Sequence, residues 1–228
     1  MRIFLFSLIF LNAGLLMNRP SAAQTAEEMG QRLLDAMGGV DAWATVRTVH
    51  NRAINHHPAA RLPYIQEYWY DMQEPAHHTR INNFDMQRIR AYNSEGGWSL
   101  AEGNLTPFSA ERLQNEMVSW SKSLYRKFRL LARKPDGFEL TIGKDDRLEF
   151  RLDGAFLGWM IIGEDGAPVR HGGMPSTDNY TEFNELAEFG PAKWPRSGRD
   201  NDGWRFEMLS LELSDDAMPV PLSPPFNQ

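Results

Sequence analysis

The sequence contains no cysteine among its 228 residues. This absence excludes a disulfide-stapled domain, a cysteine-based zinc site and the cysteine-linked lipid anchor of a bacterial lipoprotein. Positive charge is also scarce, because 24 lysines and arginines face 30 acidic residues and the formal net charge is −6. Proteins that bind nucleic acids generally need a basic surface, so we expect no nucleic-acid partner.

Long hydrophobic runs are scarce as well, and the clearest one lies at the N-terminus. Residues 1–17 carry one positive charge and then an uncharged apolar run, which is short for a membrane span of about 20 residues. Ser21 and Ala23 follow, and they place small residues at the two positions that a signal peptidase inspects. The sequence predicts a signal peptide at 1–23 that is cleaved after Ala23, with an uncleaved anchor helix as the alternative. We therefore expect a periplasmic protein in which residues 24–228 form a single domain.

Two helices are predicted from the signals at their ends. Thr25 and Glu28 fit a capping box, and Gly38 follows where the helix should end. Ser109 and Pro135 are suited to begin and to stop a longer helix over 109–133. Apolar residues recur along this second helix at spacings of three and four and form one stripe: Leu113, Met117, Trp120, Leu124, Phe128 and Leu131.

A basic stripe runs along the opposite side of the same predicted helix. It contains Lys122, Arg126, Arg129 and Arg133 at spacings of four, three and four. Such a run is most often exposed to water, where it complements the helix C-terminus. Contact with anionic headgroups or with an acidic partner is the alternative.

Most of the remaining chain has the pattern of short antiparallel strands separated by turn residues. Predicted strands and hairpins lie at 46–56, 64–72, 77–84, 87–93, 97–101, 138–152, 156–162, 179–189, 192–195 and 204–213. In the last of these the apolar phase shifts between Met208 and Leu209, which is typical of a β-bulge. The sequence predicts an α+β fold in which a long antiparallel sheet wraps around helices, and an extended proline-rich tail that closes over a surface.

The histidines are the candidates for metal chemistry. The pairs His56/His57 and His77/His78 each offer only one imidazole to a common site, because neighbouring residues of a strand point to opposite faces. A carboxylate such as Glu67 would have to complete the site. We favour histidines without a metal and expect no cofactor, and a metal-dependent hydrolase built on the two pairs is an alternative function.

Aromatic and sulfur-containing side chains are abundant, with 7 tryptophans and 11 methionines. Tyr68, Trp69 and Tyr70 place aromatic rings on both faces of one predicted strand. Such residues either fill a core or line a concave apolar surface for acyl chains, in which flexible methionines adapt to the ligand. Both interpretations are open at the level of sequence.

The order of these elements resembles the LolA/LolB-like group of periplasmic lipoprotein carriers and lipid-binding proteins. The similarity is carried by residues 37–43 (MGGVDAW), by Gly97 and Trp98 ahead of the long helix, and by residues 180–183 (YTEF) and 190–195 (GPAKWP) near the end. The resemblance implies an unclosed antiparallel β half-barrel whose concave apolar face is lidded by helices and holds acyl chains.

These observations lead us to expect a non-enzymatic periplasmic protein that binds or carries a lipid, an acyl chain or a lipidated partner. We expect a monomer that makes transient contact with a membrane surface. A protein–protein adaptor is a further alternative. The residues expected to line the ligand cavity or its lid are Trp69, Trp98, Met117, Trp120, Leu124, Phe128 and Trp159.

Overall fold

The computed structural model describes residues 24–84, 86–176 and 178–224. The predicted signal peptide at 1–23 lies outside these residues. The helices are α1 (Ala26–Ala36), α2 (Gly39–Trp43), α3 (Ala110–Ser121) and α4 (Leu124–Arg133). The strands are β1 (Thr48–His56), β2 (Tyr64–Asp71), β3 (Ala76–Asn82), β4 (Gln87–Tyr92), β5 (Gly97–Ala101), β6 (Asn104–Pro107), β7 (Phe138–Ile142), β8 (Leu148–Leu152), β9 (Ala155–Ile162), β10 (Pro168–Gly172), β11 (Thr181–Phe183), β12 (Leu186–Phe189), β13 (Ala192–Pro195), β14 (Ser197–Asp200) and β15 (Arg205–Ser214).

One large antiparallel sheet dominates the structure. Its strand order is β6-β5-β4-β3-β2-β1-β15-β14-β11-β10-β9-β8-β7, and β12 pairs with β13 in a separate hairpin. The first and last strands of this order do not pair with each other, so the sheet is not closed into a barrel. The predicted α+β class with an unclosed antiparallel sheet is confirmed.

The pairing of β1 with β15 joins the two halves of the chain in the middle of the sheet. Thr48 lies opposite Ser214, and the register shifts where Arg52 pairs with Ser210 but Ala53 pairs with Met208. The extra residue in β15 is Leu209, at the point where the apolar phase of the sequence changes. The predicted β-bulge is therefore confirmed.

The first helix begins and ends as its sequence signals indicate. The Thr25 hydroxyl accepts from the backbone N–H of Glu28 at 3.2 Å, and the Glu28 carboxylate accepts from the backbone N–H of Thr25 at 2.8 Å. Gly38 then adopts a φ of +110°, and a Cβ there would lie 2.5 Å from the carbonyl oxygen of Pro191. Only glycine fits this junction between α1 and α2.

The predicted long helix at 109–133 is wrong as a single element. The helix is interrupted after Ser121, and Ser123 caps the new helix α4 by accepting from the backbone N–H of Arg126 at 3.2 Å. Serine favours helix N-caps over helix interiors because its hydroxyl satisfies a free backbone donor. The apolar stripe is consequently divided between two helices, and only Trp120 of α3 is buried.

Two members of the basic stripe, Arg126 and Arg129, are half-buried and not fully exposed. Arg129 donates to the carbonyl oxygens of Val46 at 2.7 Å and Met72 at 3.3 Å, and so ties α4 to the loops that flank β1 and β2. The Arg126 guanidinium lies 4.7 Å from the ring centroid of Trp120. These side chains make contacts with the rest of the protein that periodicity alone does not reveal.

The strand predictions at 46–56, 64–72, 77–84, 87–93 and 97–101 correspond to β1–β5. The edge strand β6 was not predicted, since its four residues are all exposed and show no apolar alternation. The predicted strand at 179–189 is two strands, β11 and β12, which belong to different sheets.

The main hydrophobic core lies between the concave face of the sheet and helices α1, α2 and α4. Leu33, Trp43, Phe128, Phe150 and Met160 are among its fully buried members. No helix in the described part of the chain is long and apolar enough to span a membrane.

The C-terminal segment crosses the opposite, convex face of the sheet. The carbonyl oxygen of Asp216 accepts from Thr48 in β1, that of Pro221 lies 3.1 Å from Nδ1 of His78 in β3, and that of Leu222 accepts from the Trp98 indole in β5. The tail therefore closes over a surface, as expected for an extended proline-rich segment.

Candidate ligand-binding groove

A groove runs along the concave face of the sheet beside α4. It has two parts, an apolar end of about 210 Å³ and a more polar end of about 660 Å³, which we call the polar end. The two parts share the lining residues Tyr68, Tyr70, Leu124, Tyr125 and His171. A binding site for a small molecule typically has a volume of about 300–1,000 Å³, so the groove has the size for a small ligand or an acyl chain.

Besides the shared residues, each end of the groove has its own lining residues. The apolar end is also lined by Asn51, Ala53, Asn55, Thr181, Phe183, Trp194, Trp204, Phe206 and Met208. The polar end is also lined by His77, Arg90, Tyr92, Asn115, Glu116, Val118, Ser119, Trp120, Lys122, Ser123, Gly173, Met174 and Asn179. Because Asn115, Val118 and Ser119 of α3 are exposed, the polar end opens to the protein surface.

The alternation of side chains along β2 brings two tyrosines into the groove. Tyr68 pairs with Asn51 of β1, and Tyr70 pairs with His77 of β3, so all four side chains lie on the concave face. The Tyr70 and His77 rings stack with centroids 4.3 Å apart. The floor of the groove is thus a ladder of rings across neighbouring strands.

Tyr125 of α4 forms the opposite wall. Its ring stacks on Trp194 with centroids 4.4 Å apart, and its hydroxyl accepts from Nδ2 of Asn51 at 2.6 Å. Burial raises the pKa of the Tyr70 and Tyr125 phenols far above the ordinary value, so both remain neutral. The rings offer apolar faces with polar tips, which suits an amphiphilic ligand.

Two buried polar groups lie on the groove floor, the imidazole of His77 and the side-chain amide of Asn51. Burial, together with the positive charge of Arg90 and the neighbouring His78, holds the pKa of His77 well below its usual range. Its imidazole is therefore neutral at physiological pH, with Nε2 2.9 Å from the Thr79 hydroxyl. Oδ1 of Asn51 is buried and has no hydrogen-bond partner among the described residues.

Lys127 is the residue of this region that sequence reasoning missed. Its side chain is fully buried; Nζ donates to the carbonyl of Lys122 and lies 3.2 Å from Nε2 of His171. Burial, and then the positive charges of Lys122 and Arg126, lowers the pKa of Lys127 from its usual value to about 7. The amine of Lys127 does not line the groove itself, but it contacts His171, which does.

A glycine in β9 makes room for the Lys127 side chain. Gly158 has a φ of +138°, and a Cβ at this position would lie 2.8 Å from Cε of Lys127. A glycine inside an otherwise apolar strand often marks the close approach of another group. This was the one signal in the sequence that pointed to Lys127.

The structure places two of the seven predicted lining residues in the groove. Trp120 and Leu124 line its polar end, and Leu124 lines the apolar end as well. Phe128 is buried in the core, where it packs on Trp43 and Trp194. Met117 is half-buried on α3 and does not line either end.

The other three predicted residues, Trp69, Trp98 and Trp159, lie outside the groove. Trp69 points to the convex face because Tyr68 and Tyr70 point to the concave one, and it stacks on His50 at 4.5 Å between centroids. The Trp98 and Trp159 indoles donate to the carbonyls of Leu222 at 2.6 Å and Met174 at 2.9 Å. All three are covered by other parts of the chain.

The two histidine pairs do not come together. His56 ends β1 next to the Asn55–Tyr64 pair, whereas His77 lies opposite Tyr70, at the other end of β2. Six residues of a strand separate these positions by about 20 Å. Over the ranges 24–84, 86–176 and 178–224, no group of three or more histidine, aspartate or glutamate side chains is arranged to hold a metal ion. The hydrolase alternative therefore lacks an assembled site in these residues.

Comparisons with known proteins show similarity to solved structures but to no characterised sequence. No protein-family model matches the chain, and no curated protein matches it significantly. Among solved structures, the chain is similar to the crystal structure of a DUF1329 family protein from Desulfovibrio piger, with a TM-score of 0.47 and 10% sequence identity. That alignment covers 83% of this chain and 94% of the other. Membership of the LolA/LolB-like group stays a prediction.

Proposed function

We propose that the protein is a non-enzymatic binder or carrier of an acyl-chain ligand, either a lipid or the acyl chain of a lipidated partner. The observation that carries this proposal is the groove, in which the faces of Tyr68, Tyr125, Trp194 and Phe206 and the side chain of Met208 surround the apolar end. Rings and a thioether of this kind contact a hydrocarbon chain without requiring one fixed geometry.

The two ends of the groove suit the two ends of an amphiphile. The apolar end takes the hydrocarbon, while the polar end opens to the surface beside α3 and takes the headgroup. Each buried methylene contributes about 0.8 kcal/mol, so affinity should rise about fourfold for each methylene added to the chain until the groove is full.

A binding role is also supported by the protonation states of the groove side chains. An efficient general acid or base has a pKa near the operating pH. Burial moves the pKa values of Tyr70 and Tyr125 upward and that of His77 downward, away from neutrality. Lys127 has a pKa near 7 but no exposed surface.

The proposed location is the periplasm, which the predicted signal peptide at 1–23 supports. There a monomer would take up its ligand during transient contact with a membrane surface. Fractionation of the host cells should recover the protein in the periplasm with Gln24 as its first residue. Recovery in the cytoplasm with an intact N-terminus would contradict this location.

Native mass spectrometry tests the binding proposal. Protein purified from its host should carry a bound acyl-chain species that is released on denaturation. After delipidation, the protein should bind fatty acids again. Protein that is purified empty and also fails to bind fatty acids or lipopeptides would contradict the proposal.

A matched pair of substitutions locates the ligand. Thr181 lines the apolar end, so Thr181→Trp should fill it and weaken fatty-acid binding by about tenfold or more. Thr141 is exposed on β7 and lies in neither part of the groove, so Thr141→Trp is the control and should bind as the wild type does. Equal binding by both variants would place the ligand elsewhere.

A further inference from the structure

Beside the groove lies a cluster of cationic side chains from the end of α3 and from α4, which we call the cation cluster: Lys122, Arg126 and Lys127, together with His171. Lys127 is fully buried with Nζ 3.2 Å from Nε2 of His171. Lys122 lines the polar end, and His171 lines both ends. His171 therefore lies where the two parts of the groove meet, while Lys127 contacts it from behind and, like Arg126, lines neither part.

The cation cluster has no carboxylate to balance it. Among the described residues, no ion pair within 4.0 Å includes Lys122, Arg126 or Lys127. The acid that lines this part of the groove is Glu116, and it is already paired with Arg90 at 3.5 Å and Arg112 at 4.0 Å.

An amine in this environment is costly to keep charged. Buried charges in proteins are normally paired, because water no longer stabilises them. The lowered pKa of Lys127 has this cause, with burial as the largest contribution. An anion placed against His171 would supply the missing countercharge and stabilise the protonated amine.

We propose that the cation cluster binds the anionic headgroup of the ligand, with His171 and Lys122 in contact with it and the buried Lys127 supporting His171. The headgroup is a carboxylate or phosphate group on an acyl chain whose hydrocarbon occupies the apolar end. This inference rests on the proposed function and names the ligand class. When the protonated Lys127 donates to Nε2 of His171, the proton of the neutral imidazole is on Nδ1, which is then a donor. Lys122 adds a second cation on the surface side.

The position of Gly158 supports a built site. The glycine leaves the space in which the end of the Lys127 side chain packs against β9 next to His171. A purely structural amine that ties the end of α3 would donate to the carbonyl of Lys122 without affecting ligand choice. Ligand preference therefore distinguishes the two roles.

The test compares three probes of equal chain length by isothermal titration calorimetry: dodecanoate, dodecyl phosphate and the uncharged dodecanol. Charged hydrogen bonds should make at least one anion bind about tenfold or more tightly than dodecanol. The better of the two anions identifies the headgroup as carboxylate or phosphate. In addition, NMR of the lysine side chains should show the pKa of Lys127 rising when that anion binds.

Lys127→Met keeps an unbranched side chain up to the ε position and removes the charged amine. It should lose most of the preference for the anion while binding dodecanol as the wild type does. Lys144 is exposed in the turn between β7 and β8, so Lys144→Met is the matched control and should keep the preference. If Lys127→Met does not fold, the wild-type preference and the NMR titration decide the question.

The outcomes separate the two proposals. Equal affinity for the anions and dodecanol, an unchanged preference in Lys127→Met, or a Lys127 pKa that does not move would overturn the headgroup site and leave acyl-chain binding intact. Failure of all three probes to bind would contradict the proposed function itself.

Discussion

In the proposed headgroup site, Lys127 would link the stability of the fold to the choice of ligand. The amine is enclosed by the carbonyl of Lys122 and by His171, with Lys122 and Arg126 as the neighbouring cations. Its charge weakens the fold unless an anion is present. A buried amine of this kind is better explained by binding than by stability, since an apolar residue of similar volume would be stabilising.

The pH dependence of stability tests the burial of this amine. The folded pKa is about 7 and the unfolded value about 10.5, so between these values the unfolded chain binds a proton that the folded protein does not. The cost of burying the charge is fully present below about pH 7 and is relieved as the pH rises towards 10.5. Lys127→Met should therefore be more stable than the wild type at low pH.

The stability advantage of Lys127→Met over the wild type should shrink by a few kcal/mol as the pH rises from about 7 to 10.5. Each unit of difference between the folded and unfolded pKa of Lys127 corresponds to about 1.4 kcal/mol in the free energy of unfolding. Urea unfolding of both proteins across this pH range measures it. The difference between the two proteins cancels the other titrating groups. A difference that does not depend on pH would show that the amine is hydrated in the folded state.

Gly158 is the residue on which the position of Lys127 depends. In Gly158→Ala the new Cβ would lie 2.6 Å from the carbonyl oxygen of Gly172 and 2.8 Å from Cε of Lys127, at a φ of +138°. We expect a loss of about 2–4 kcal/mol in the free energy of unfolding.

Gly154→Ala is the control for backbone strain in this experiment. Gly154 also has a positive φ, +76°, but a Cβ there has no neighbour within 4 Å. Gly154→Ala should lower the free energy of unfolding by about 1 kcal/mol, because only the left-handed backbone conformation is unfavourable for alanine there. Equal costs for the two variants would mean that the space near Lys127 is not limiting.

At the scale of elements, α3 and α4 differ in how firmly they are held. α4 buries five of its ten residues in the core or beside it. α3 buries only Trp120, whose indole donates to the carbonyl of Asp71 at 2.7 Å, and its Glu116 carbonyl accepts from the Tyr92 hydroxyl at 3.2 Å. Because α3 also forms one side of the polar end, we regard it as the lid of the groove.

Trp120→Phe should release this lid. The substitution removes the indole donor but keeps an aromatic ring, and loss of a buried hydrogen bond costs about 1–3 kcal/mol. Amide hydrogen exchange should accelerate in 110–121 and stay unchanged in 124–133, as measured by mass spectrometry. Equal acceleration in both segments would mean that the two helices open as one unit.

At the scale of the whole molecule, an open sheet is held together by contacts between distant parts of the chain. β1 pairs with β15, and the tail then crosses the convex face over His78 and Trp98. This tail covers aromatic side chains that an open sheet would otherwise leave in water. Its removal should therefore affect the outer face and not the groove.

A chain that ends at Ala217 tests this role. It lacks the carbonyls of Pro221 and Leu222, so the free energy of unfolding should fall by about 1–3 kcal/mol. Acrylamide should quench the fluorescence of Trp98 more strongly than in the wild type. A chain that ends at Pro224 keeps both carbonyls and should behave as the full chain does. Unchanged quenching after the longer truncation would mean that the tail does not protect this face.

Local features of this protein follow from its sequence alone. The capping box of Thr25 and Glu28, the first five strands and the bulge at Leu209 depend on residues a few positions apart, and those interactions are formed within one element or one pair of strands. The antiparallel α+β class follows from the same short-range patterns. The break at Ser123 is also a local signal, but the continuous apolar stripe obscured it.

The tertiary structure decided which residues belong to the groove. Alternation along β2 places Trp69 opposite to Tyr68 and Tyr70, yet it does not say which face is concave. That choice depends on the pairing of β1 with β15, more than 150 residues apart, and on the face that α4 covers. Only this long-range packing places Lys127 against His171. The resemblance in the sequence therefore suggested an acyl-chain ligand, whereas the groove proposed to hold that ligand is formed only by the tertiary structure.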